Sequence, residues 1–533
     1  MAETKREIER KYEATSGTRV PDLTRVPGVE AVVDRGVMEL DAVYYDTPDL
    51  RLAADAITLR RRTGGDDEGW HLKFPVASGI RDEIRAPLAD TLPGELAGLL
   101  RSRVRGVEVV PVVRLRSARD VRHLVDASGT LLAELSVDTV RAERLPGGAK
   151  ATWKEIEVEL ADDADEAILD AVEKRLTKAG IHASSSASKL ARALTETETE
   201  TETTPSAERR RPAEAQDGAR SAEHGAPETA PAAVEAPAPG TAGHAVLVYA
   251  REQIDAIVEL DPAVRRDLPD SVHQLRVACR RLRSAFKTYR KVLDRDVTDP
   301  LGAELKWLAA ELGIARDQEV LTERLRGRID ELPRSLRLGP VRGRLRTWSA
   351  ARARDARRRT LAALDSPRYL ALLDALDALL ADPPLRKAAS RDARKVLARA
   401  VLKDHDRLAA RVDRALALDP GEERDVALHE ARKAAKRARY AANAAKPTLG
   451  KPARKVAKRV KSVQSLLGEH QDSVVAREAL RELATQAHAA GESAFTWGLL
   501  HGREQAAAEA GERDLPGVWA KAAAPEIRAA LTR

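Results

Sequence analysis

The segment EIERKYE at residues 7–13 carries a charged side chain at every second position. Successive side chains of a β-strand point to opposite faces, so Glu7, Glu9 and Lys11 would lie together on one face of a strand. The same period recurs in short segments as far as residue 160, separated by turn sequences such as GGDDEG at residues 64–69. This pattern predicts an antiparallel sheet or barrel for the first part of the chain.

The charged faces of these predicted strands differ in sign. The first and last strands are rich in carboxylates, whereas the strands between them carry basic side chains at equivalent positions. The later residues concerned are Arg60, Arg62, His71, Lys73, Arg114, Arg116, Glu134, Asp138, Glu155, Glu157 and Glu159. A solvated sheet would show the same alternation, but three carboxylates on one strand face repel each other unless a cation lies between them. We therefore expect the charged faces to converge inside a closed barrel, where a divalent cation could bind carboxylates and phosphate together.

The chain of 533 residues is long enough for two to four domains of about 100–200 residues each. Residues 199–243, which begin TETETT, hold almost no large apolar side chain and are rich in Pro, Ala and Glu. Such a segment buries too little surface to offset its ordering entropy, so we interpret it as a disordered linker. The predicted domains are therefore residues 1–198 and residues 244–533.

The two predicted domains differ in charge. Residues 1–200 carry 30 Lys and Arg against 37 Asp and Glu, whereas residues 244–533 carry 57 against 40. A basic surface of that size attracts polyanions over long range. The single cysteine, Cys279, excludes an intramolecular disulfide, and no apolar signal segment precedes the first strand, so we expect a cytoplasmic protein. Charges interrupt every long apolar run, which predicts that no segment spans a membrane.

After residue 243 the hydrophobic period changes to 3.6, which predicts an all-α domain. Two segments align without gaps, HQLRVACRRLRSAFKTYR from His273 and HEARKAAKRARYAANAAK from His429. A second pair, LGIARD and LGEHQD, follows at almost the same offset, which indicates an internal duplication. Helical spacing places the basic side chains in one stripe per copy. The stripes are His273, Arg276, Arg280, Arg283 and Lys287, then His429, Arg432, Lys436 and Arg439 with Lys433 beside them, and Lys306 and Lys461 precede the second motif at matching positions.

The first part of the chain resembles the CYTH domain of the triphosphate tunnel metalloenzymes. Glu7, Glu9 and Lys11 match the ExExK signature of that family. Later elements follow in the family's order: YYDT at 44–47, LRRR at 59–62, HLK at 71–73, the strand with Arg114 and Arg116, the strand ending at Asp138, EIEVEL at 155–160 and SKLAR at 188–192. The resemblance implies an eight-stranded antiparallel tunnel with flanking helices. It also implies binding of a linear triphosphate and of one or two divalent metal ions, Mg²⁺ or Mn²⁺.

The resemblance implies a role for each matching residue. The catalytic residues would be Glu7, Glu9 and Lys11. The metal ligands would be the carboxylates of Glu7, Glu9, Asp138, Glu155, Glu157 and Glu159. The groups that bind phosphate oxygens would be Lys11, Arg60, Arg62, Lys73, Arg114, Arg116 and Lys189.

The resemblance leaves the substrate open, because this family includes adenylyl cyclases, thiamine triphosphatases and inorganic triphosphatases. The His-Phe pair expected upstream of ExExK in cyclase-type members is absent, since only MAETKR precedes Glu7. No purine or thiamine pocket can be inferred from the sequence. Inorganic tripolyphosphate, hydrolysed to pyrophosphate and phosphate, is the most economical substrate. The alternatives are an enzyme that processes nucleotide or thiamine triphosphate and a non-catalytic protein that binds and targets polyphosphate.

The region from residue 244 onward resembles the CHAD domain, which is named for histidines in an α-helical domain. The resemblance implies two pseudo-symmetric helical bundles whose basic helices line a channel that binds inorganic polyphosphate. Neither base-reading groups nor aromatic stacking platforms are evident, which disfavours nucleic acid as the partner. We expect tripolyphosphate and long-chain polyphosphate as partners and a location at polyphosphate granules. The sequence does not determine the oligomeric state.

Overall fold

The computed structural model describes residues 3–198 and 237–532. They form two compact units, one on each side of the segment 199–236. Most of the predicted linker, residues 199–243, lies outside the described residues. Its last residues belong to the helical unit, because a helix begins at Ala242 and the Thr241 hydroxyl accepts a hydrogen bond from the backbone N–H of His244. The helical unit therefore begins before residue 244.

The first unit is a closed barrel of eight antiparallel strands, which confirms the predicted eight-stranded antiparallel architecture. The strands are β1 Glu3–Ala14, β2 Ala31–Asp46, β3 Thr58–Thr63, β4 Gly69–Ala77, β5 Ile80–Ala86, β6 Val110–Val125, β7 Leu131–Arg144 and β8 Lys150–Leu160. Around the barrel they follow the order β1-β5-β4-β3-β2-β6-β7-β8. The register of β1 and β8 places Glu9 opposite Glu159 and Lys11 opposite Glu157, so the acidic faces of the first and last strands meet.

Helices cover the outer, apolar faces of the barrel strands. They are α1 Arg51–Ala54, α2 Gly94–Val104, α3 Ala167–Lys178 and α4 Lys189–Glu196. Leu96 and Leu100 of α2 are buried against the outer face of β3 to β5, and Val172 of α3 is buried against Val158 of β8. This burial explains why each charged strand position alternates with an apolar one: the apolar face packs against a helix, and the charged face is left for the interior.

The barrel interior changes from charged to apolar along its axis. On β7 the inward residues run from Glu134 and Asp138 to Val140, and on β8 they run from Glu157 to Trp153. Leu190 and Ala193 of α4 pack against this apolar end. The apolar cluster comprises Ala42, Tyr44, Val112, Val113, Leu115, Val140, Ala142, Trp153, Leu190 and Ala193, and every member is buried.

The second unit is helical throughout its described secondary structure, as predicted. Its helices are α5 Ala242–Arg265, α6 Ser271–Thr288, α7 Arg295–Asp330, α8 Val341–Asp365, α9 Pro367–Ala381, α10 Ala393–Leu416, α11 Glu422–Ala444, α12 Lys446–Leu449, α13 Lys451–Ala489, α14 Phe495–Ala523 and α15 Pro525–Thr532. The two His-led segments form α6 and α11, and the motifs LGIARD and LGEHQD lie within α7 and α13. The duplication in sequence is therefore a duplication of helices. No helix in the described ranges is long and apolar enough to cross a membrane.

Candidate active site and phosphate-binding surface

The barrel encloses a cavity of about 250 Å³ that is lined mostly by charged side chains. The basic lining residues are Lys5, Lys11, Arg60, Arg62, Lys73, Arg81, Arg85, Arg119 and Lys189. The acidic lining residues are Glu7, Glu9, Asp66, Asp67, Glu134, Glu157 and Glu159. Most of the residues that the sequence assigned to this site thus lie around one cavity, including all three of the ExExK signature.

Lysines and carboxylates of the cavity are paired across strands. Lys73 Nζ lies 2.6 Å from the Glu7 carboxylate, and Lys11 Nζ lies 3.2 Å from that of Glu9 and also contacts Glu157. Burial raises the pKa of Glu7, and the nearby carboxylates of Glu83 and Glu159 raise it further. The carboxylates therefore crowd one another inside the barrel, which is an electrostatic environment that favours an additional cation.

The deepest carboxylates lie behind the cavity lining. Lys189 Nζ is 2.9 Å from Asp138, 2.6 Å from Glu155 and 2.5 Å from Glu157. Arg119 donates to both oxygens of Asp138, at 2.8 and 2.7 Å, and to Glu157 at 2.7 Å. Oxygens of the three carboxylates lie within 4.8 Å of one another, a spacing compatible with a metal ion. In this structure Asp138 and Glu155 hold two cations in place, and neither carboxylate lines the cavity.

Glu83 on β5 is a site residue that the sequence analysis missed. Its carboxylate is fully buried, accepts a hydrogen bond from His71 Nδ1 at 2.8 Å, and lies 3.4 Å from Lys73 Nζ and 3.7 Å from the Arg60 guanidinium. Burial lowers the pKa of His71 to about 3, so the imidazole is neutral. Glu83 is also paired with Arg85, so it fixes the positions of three basic residues that line the cavity.

Arg114 and Arg116 do not face the cavity as the sequence analysis predicted. Both lie on the outer face of β6, where Arg114 Nη2 is 2.5 Å and Arg116 Nε 3.4 Å from the Asp41 carboxylate. The inward positions beside them are Val113 and Leu115, which belong to the apolar end of the barrel. Arg119, farther along the same strand, supplies the inward-facing guanidinium instead.

Arg81 and Arg85 on β5 were also missed, although their pattern was visible. In IRDEIRA, residues 80–86, a charged side chain at every second position matches the pattern of β1. The register places Arg81 opposite Glu7. These residues complete the basic wall of the cavity, which β3, β4 and β5 form beside the acidic wall of β1 and β8.

The helical unit brings basic side chains of both repeat copies together. Lys436 of α11 is partly buried. Its ammonium group is repelled by the guanidinium groups of Arg432, on the same helix, and of Arg280 and Arg276 of α6. Burial and these three guanidinium groups lower the pKa of Lys436 to about 7, and Asp472 only partly opposes them. We call Arg276, Arg280, Arg432 and Lys436 the central cationic cluster. The two acidic partners come from the second repeated motif: Asp317 lies 2.6 Å from Arg276, and Asp472 lies 3.6 Å from Arg432.

Comparisons with known proteins agree with this division of the chain. The CYTH domain matches residues 5–194, and the CHAD domain matches residues 248–481. An uncharacterized protein of Mycobacterium tuberculosis H37Rv is 37% identical over 520 residues, which cover 94% of this chain and 93% of that protein. The chain belongs to the CYTH–CHAD family. CYTH domains are metal-dependent, and their family includes triphosphatases and cyclases.

Two solved structures are similar to part of the chain. PptA from Streptomyces chartreusis is 23% identical, with a TM-score of 0.44, and the match covers 52% of this chain and 99% of PptA. The CHAD domain of the plant Ricinus communis is 26% identical, with a TM-score of 0.39, and that match covers 56% of this chain and 94% of the plant domain.

A second cavity, of about 380 Å³, lies in the CHAD domain where α6 meets α7. Three predicted polyphosphate-binding residues line it, namely Arg283, Lys287 and Lys306. The sequence analysis did not assign the other three basic lining residues, which are Arg290, Arg295 and Arg437. Asp299 is the acidic side chain in this lining, and it is paired with Arg295 at 2.6 Å. This cavity thus extends the basic surface of the first repeat copy.

The remaining predicted residues of the CHAD domain occupy different surroundings. His273 and His429 are partly buried, and burial lowers the pKa of both imidazoles, so they are neutral at pH 7. Lys433 is paired with Glu430 at 2.7 Å, away from the central cationic cluster. The Arg439 guanidinium lies 5.3 Å from the Tyr440 ring centroid, and Lys461 is exposed on α13.

Proposed function

We propose that the CYTH domain hydrolyses inorganic tripolyphosphate to pyrophosphate and phosphate, and that the CHAD domain binds inorganic polyphosphate. The observation that carries the first proposal is a single small cavity with an acidic wall on β1 and β8 and a basic wall on β3 to β5. Phosphoryl transfer depends mainly on positioning and on charge stabilisation, and this cavity offers charged groups for both.

The lining of the cavity favours a small polyanion over a substrate with an aromatic head group. Tyr44 is the one aromatic side chain in the lining, and it lies at the closed, apolar end. A base or a thiazole would gain little stacking there. Tripolyphosphate needs only charge complementarity and hydrogen bonds to its oxygens, which Arg60, Lys73 and Arg119 are placed to supply.

The donor set of the acidic wall fits Mg²⁺ or Mn²⁺. Glu7, Glu9, Glu157 and Glu159 all present carboxylate oxygens to the cavity, and hard divalent cations prefer such ligands. A metal ion held there would supply Lewis-acid polarisation and charge neutralisation at phosphate oxygens. The carboxylates that crowd Glu7 and raise its pKa support this assignment.

The basic wall would bind and orient the phosphate groups. Arg60 and Lys73 are held by the buried Glu83, and Arg119 is held by Asp138 and Glu157. Cations fixed in this way need little reorganisation when charge shifts between phosphate oxygens during P–O cleavage. Lys189, which is fixed by three carboxylates, would complete the basic surface at the far end of the substrate.

The polyphosphate proposal rests on unsatisfied Nε–H donors of arginines in the CHAD domain. Among the described residues, the buried Nε atoms of Arg276, Arg280, Arg283, Arg432 and Arg439 have no hydrogen-bond acceptor. Buried donors without a partner are costly, and clustered cations repel one another. A flexible polyanion would supply oxygen acceptors for the unpartnered donors, and its negative charge would offset the repulsion among the arginines.

Phosphate release from tripolyphosphate tests the catalytic proposal. We expect turnover with Mg²⁺ or Mn²⁺ and its loss in a Glu7→Gln, Glu9→Gln double variant, whose side chains keep their size but lose charge. Glu39→Gln is the matched control, because Glu39 is exposed on β2 between inward-facing neighbours. Absence of metal-dependent turnover in the wild-type protein would refute the enzyme proposal and leave a binding protein.

Competition binding tests the polyphosphate proposal. Arg280→Gln should weaken polyphosphate binding, whereas Arg399→Gln, at an exposed position of α10, should not. Binding of DNA at the same salt concentration separates this proposal from general affinity for polyanions, because both interactions weaken as salt rises. Equal affinity for DNA and polyphosphate would contradict a polyphosphate-specific surface.

A further inference from the structure

The cavity of the CYTH domain is accessible at one end of the barrel. Asp66 and Asp67 in the β3–β4 loop line that end, together with Met38 in the middle of β2 and Leu131 at the start of β7. Asp66 is exposed to solvent. This end, which we call the mouth, is where a charged ligand can reach the cavity from water.

The opposite end of the barrel is filled. Inward-facing Leu115 of β6, Val140 of β7 and Trp153 of β8 pack there with Leu190 of α4, and each of the four is at most 6% exposed. Protein interiors of this kind are close-packed and leave no passage for a hydrated anion between these strands. On the β1 and β5 side, the loop before α4 covers the end, because the Ser184 N–H donates to the Lys11 carbonyl oxygen at 2.8 Å and Arg81 donates to that of Ala187. An apolar barrier also opposes a charged chain, since a buried charge without a partner is costly.

Ion pairs and a helix cap fix α4 in this position. Its first residue, Lys189, bonds to three buried carboxylates, and the Ser188 hydroxyl accepts a hydrogen bond from the backbone N–H of Ala191 at 3.0 Å. Breaking a buried ion pair by removing one partner costs about 3–5 kcal/mol in typical proteins. Opening this end would separate Lys189 from all three carboxylates, so the closure is a permanent part of the fold.

We propose that the CYTH domain cleaves polyphosphate only at chain ends, because a linear chain can present only its terminal phosphates to a cavity with one mouth. This inference rests on the proposed hydrolase function. An internal linkage would reach the cavity only if the chain folded back and both of its arms passed through the mouth. Two parallel polyanionic arms inside a confined, partly desolvated passage repel each other strongly.

The chemical step is the same for a short and a long chain. The oxygen of a water molecule forms a bond to one phosphorus near the chain end, and the P–O bond to the bridging oxygen breaks. The bridging oxygen keeps the electron pair, and the water releases its proton to the products or the solvent. Each event therefore shortens the chain from its end and leaves the internal linkages intact.

A substrate panel on the wild-type, full-length protein tests this inference without any variant that could fail to fold. The panel comprises tripolyphosphate, linear long-chain polyphosphate, the same long chain with both terminal phosphates capped by bulky phosphoramidates, and cyclic trimetaphosphate. We expect hydrolysis of the first two and no hydrolysis of the capped or cyclic substrates above a blank with metal alone. Capped chains should still bind to the CHAD domain, which shows that they reach the protein.

Gel analysis of the linear long chain gives the second readout. End-wise cleavage should shorten the population gradually, whereas internal cleavage should yield fragments of intermediate length at early times. Hydrolysis of capped chains, or fragments of intermediate length at early times, would overturn this inference. If tripolyphosphate were still hydrolysed, the proposed function would stand. If the wild-type protein did not hydrolyse tripolyphosphate at all, both the proposed function and this inference would be refuted.

Discussion

Raising the pH from 6 to 9 should weaken polyphosphate binding through one residue of the central cationic cluster, Lys436. Its ammonium group on α11 faces Arg276 and Arg280 of α6, Arg432 of its own helix, and Asp472 of α13. Burial and the three guanidinium groups lower the pKa of Lys436 from 10.5 to about 7. The lysine is therefore about half charged at neutral pH when no ligand is bound.

The expected effect follows from the direction of that shift. A bound polyanion favours the charged lysine and raises its pKa, so binding above pH 7 requires uptake of a proton. If the bound pKa returns to its usual value of 10.5, affinity falls about tenfold per pH unit above 7, or about 100-fold by pH 9. The stability of the free protein changes with pH in the opposite direction to its affinity. Between pH 7 and 10.5 the unfolded chain binds more protons at Lys436, so the free energy of unfolding rises with pH, by no more than about 5 kcal/mol.

Isothermal titration in buffers of different ionisation enthalpy measures both affinity and proton uptake. Wild-type protein should take up part of a proton per binding event near pH 8, and Lys436→Met and Lys436→Arg should not. Lys433→Met is the control, because Lys433 is exposed and paired with Glu430. Burial lowers the pKa of His273 and His429 below 6.5, so both imidazoles are neutral between pH 7 and 9. The same decline in affinity between pH 7 and 9 for wild-type and Lys436→Met would refute the role of Lys436.

Three further predictions concern the CYTH domain. Arg119→Met should lower kcat for tripolyphosphate by about 10²–10³-fold, because it removes a fixed inward cation. Arg116→Met, on the outer face of the same strand, should leave kcat unchanged. Equal losses of kcat in the two variants would contradict the placement of Arg119 in the active site. Chelation of divalent metal should abolish phosphate release but leave polyphosphate binding intact, as measured by parallel assays. Leu190→Ala should lower the free energy of unfolding by about 2–5 kcal/mol in denaturant titrations, and no change would show that α4 does not close the barrel.

The sequence predicted the inward face correctly where one pattern holds along the whole strand. In β1 and β8, carboxylates face inward while apolar residues pack under helices, so alternation alone identifies Glu7, Glu9 and Glu157. In β6 the barrel interior is apolar at one end and charged at the other. At the apolar end Leu115 faces inward and Arg116 outward, whereas at the charged end Arg119 faces inward. That change depends on the register that places Leu115 opposite Ala142 and Arg119 opposite Asp138, which no local pattern encodes.

The sequence could not predict contacts between residues that are far apart along the chain. Asp138 and Glu155 match a metal-binding motif, yet in the structure they hold Lys189, which follows them by more than thirty positions. In the CHAD domain the 3.6-residue period predicted each basic stripe. It could not predict that α6 and α11 would bring Arg280 and Lys436 together, because that proximity arises from the packing of the two repeat copies.

Closure of the barrel also affects how densely these molecules can be packed. Within the described residues, each of the eight strands has a hydrogen-bonded neighbour on both sides along part or all of its length, although residues 31–40 of β2 pair only with β6. An unpaired strand edge is a template for pairing between molecules and thus for aggregation. One polyphosphate chain that binds several CHAD domains would hold several CYTH barrels at high local concentration. Because closure leaves these barrels little unpaired strand edge, crowding them on a polymer offers few sites for edge-to-edge association.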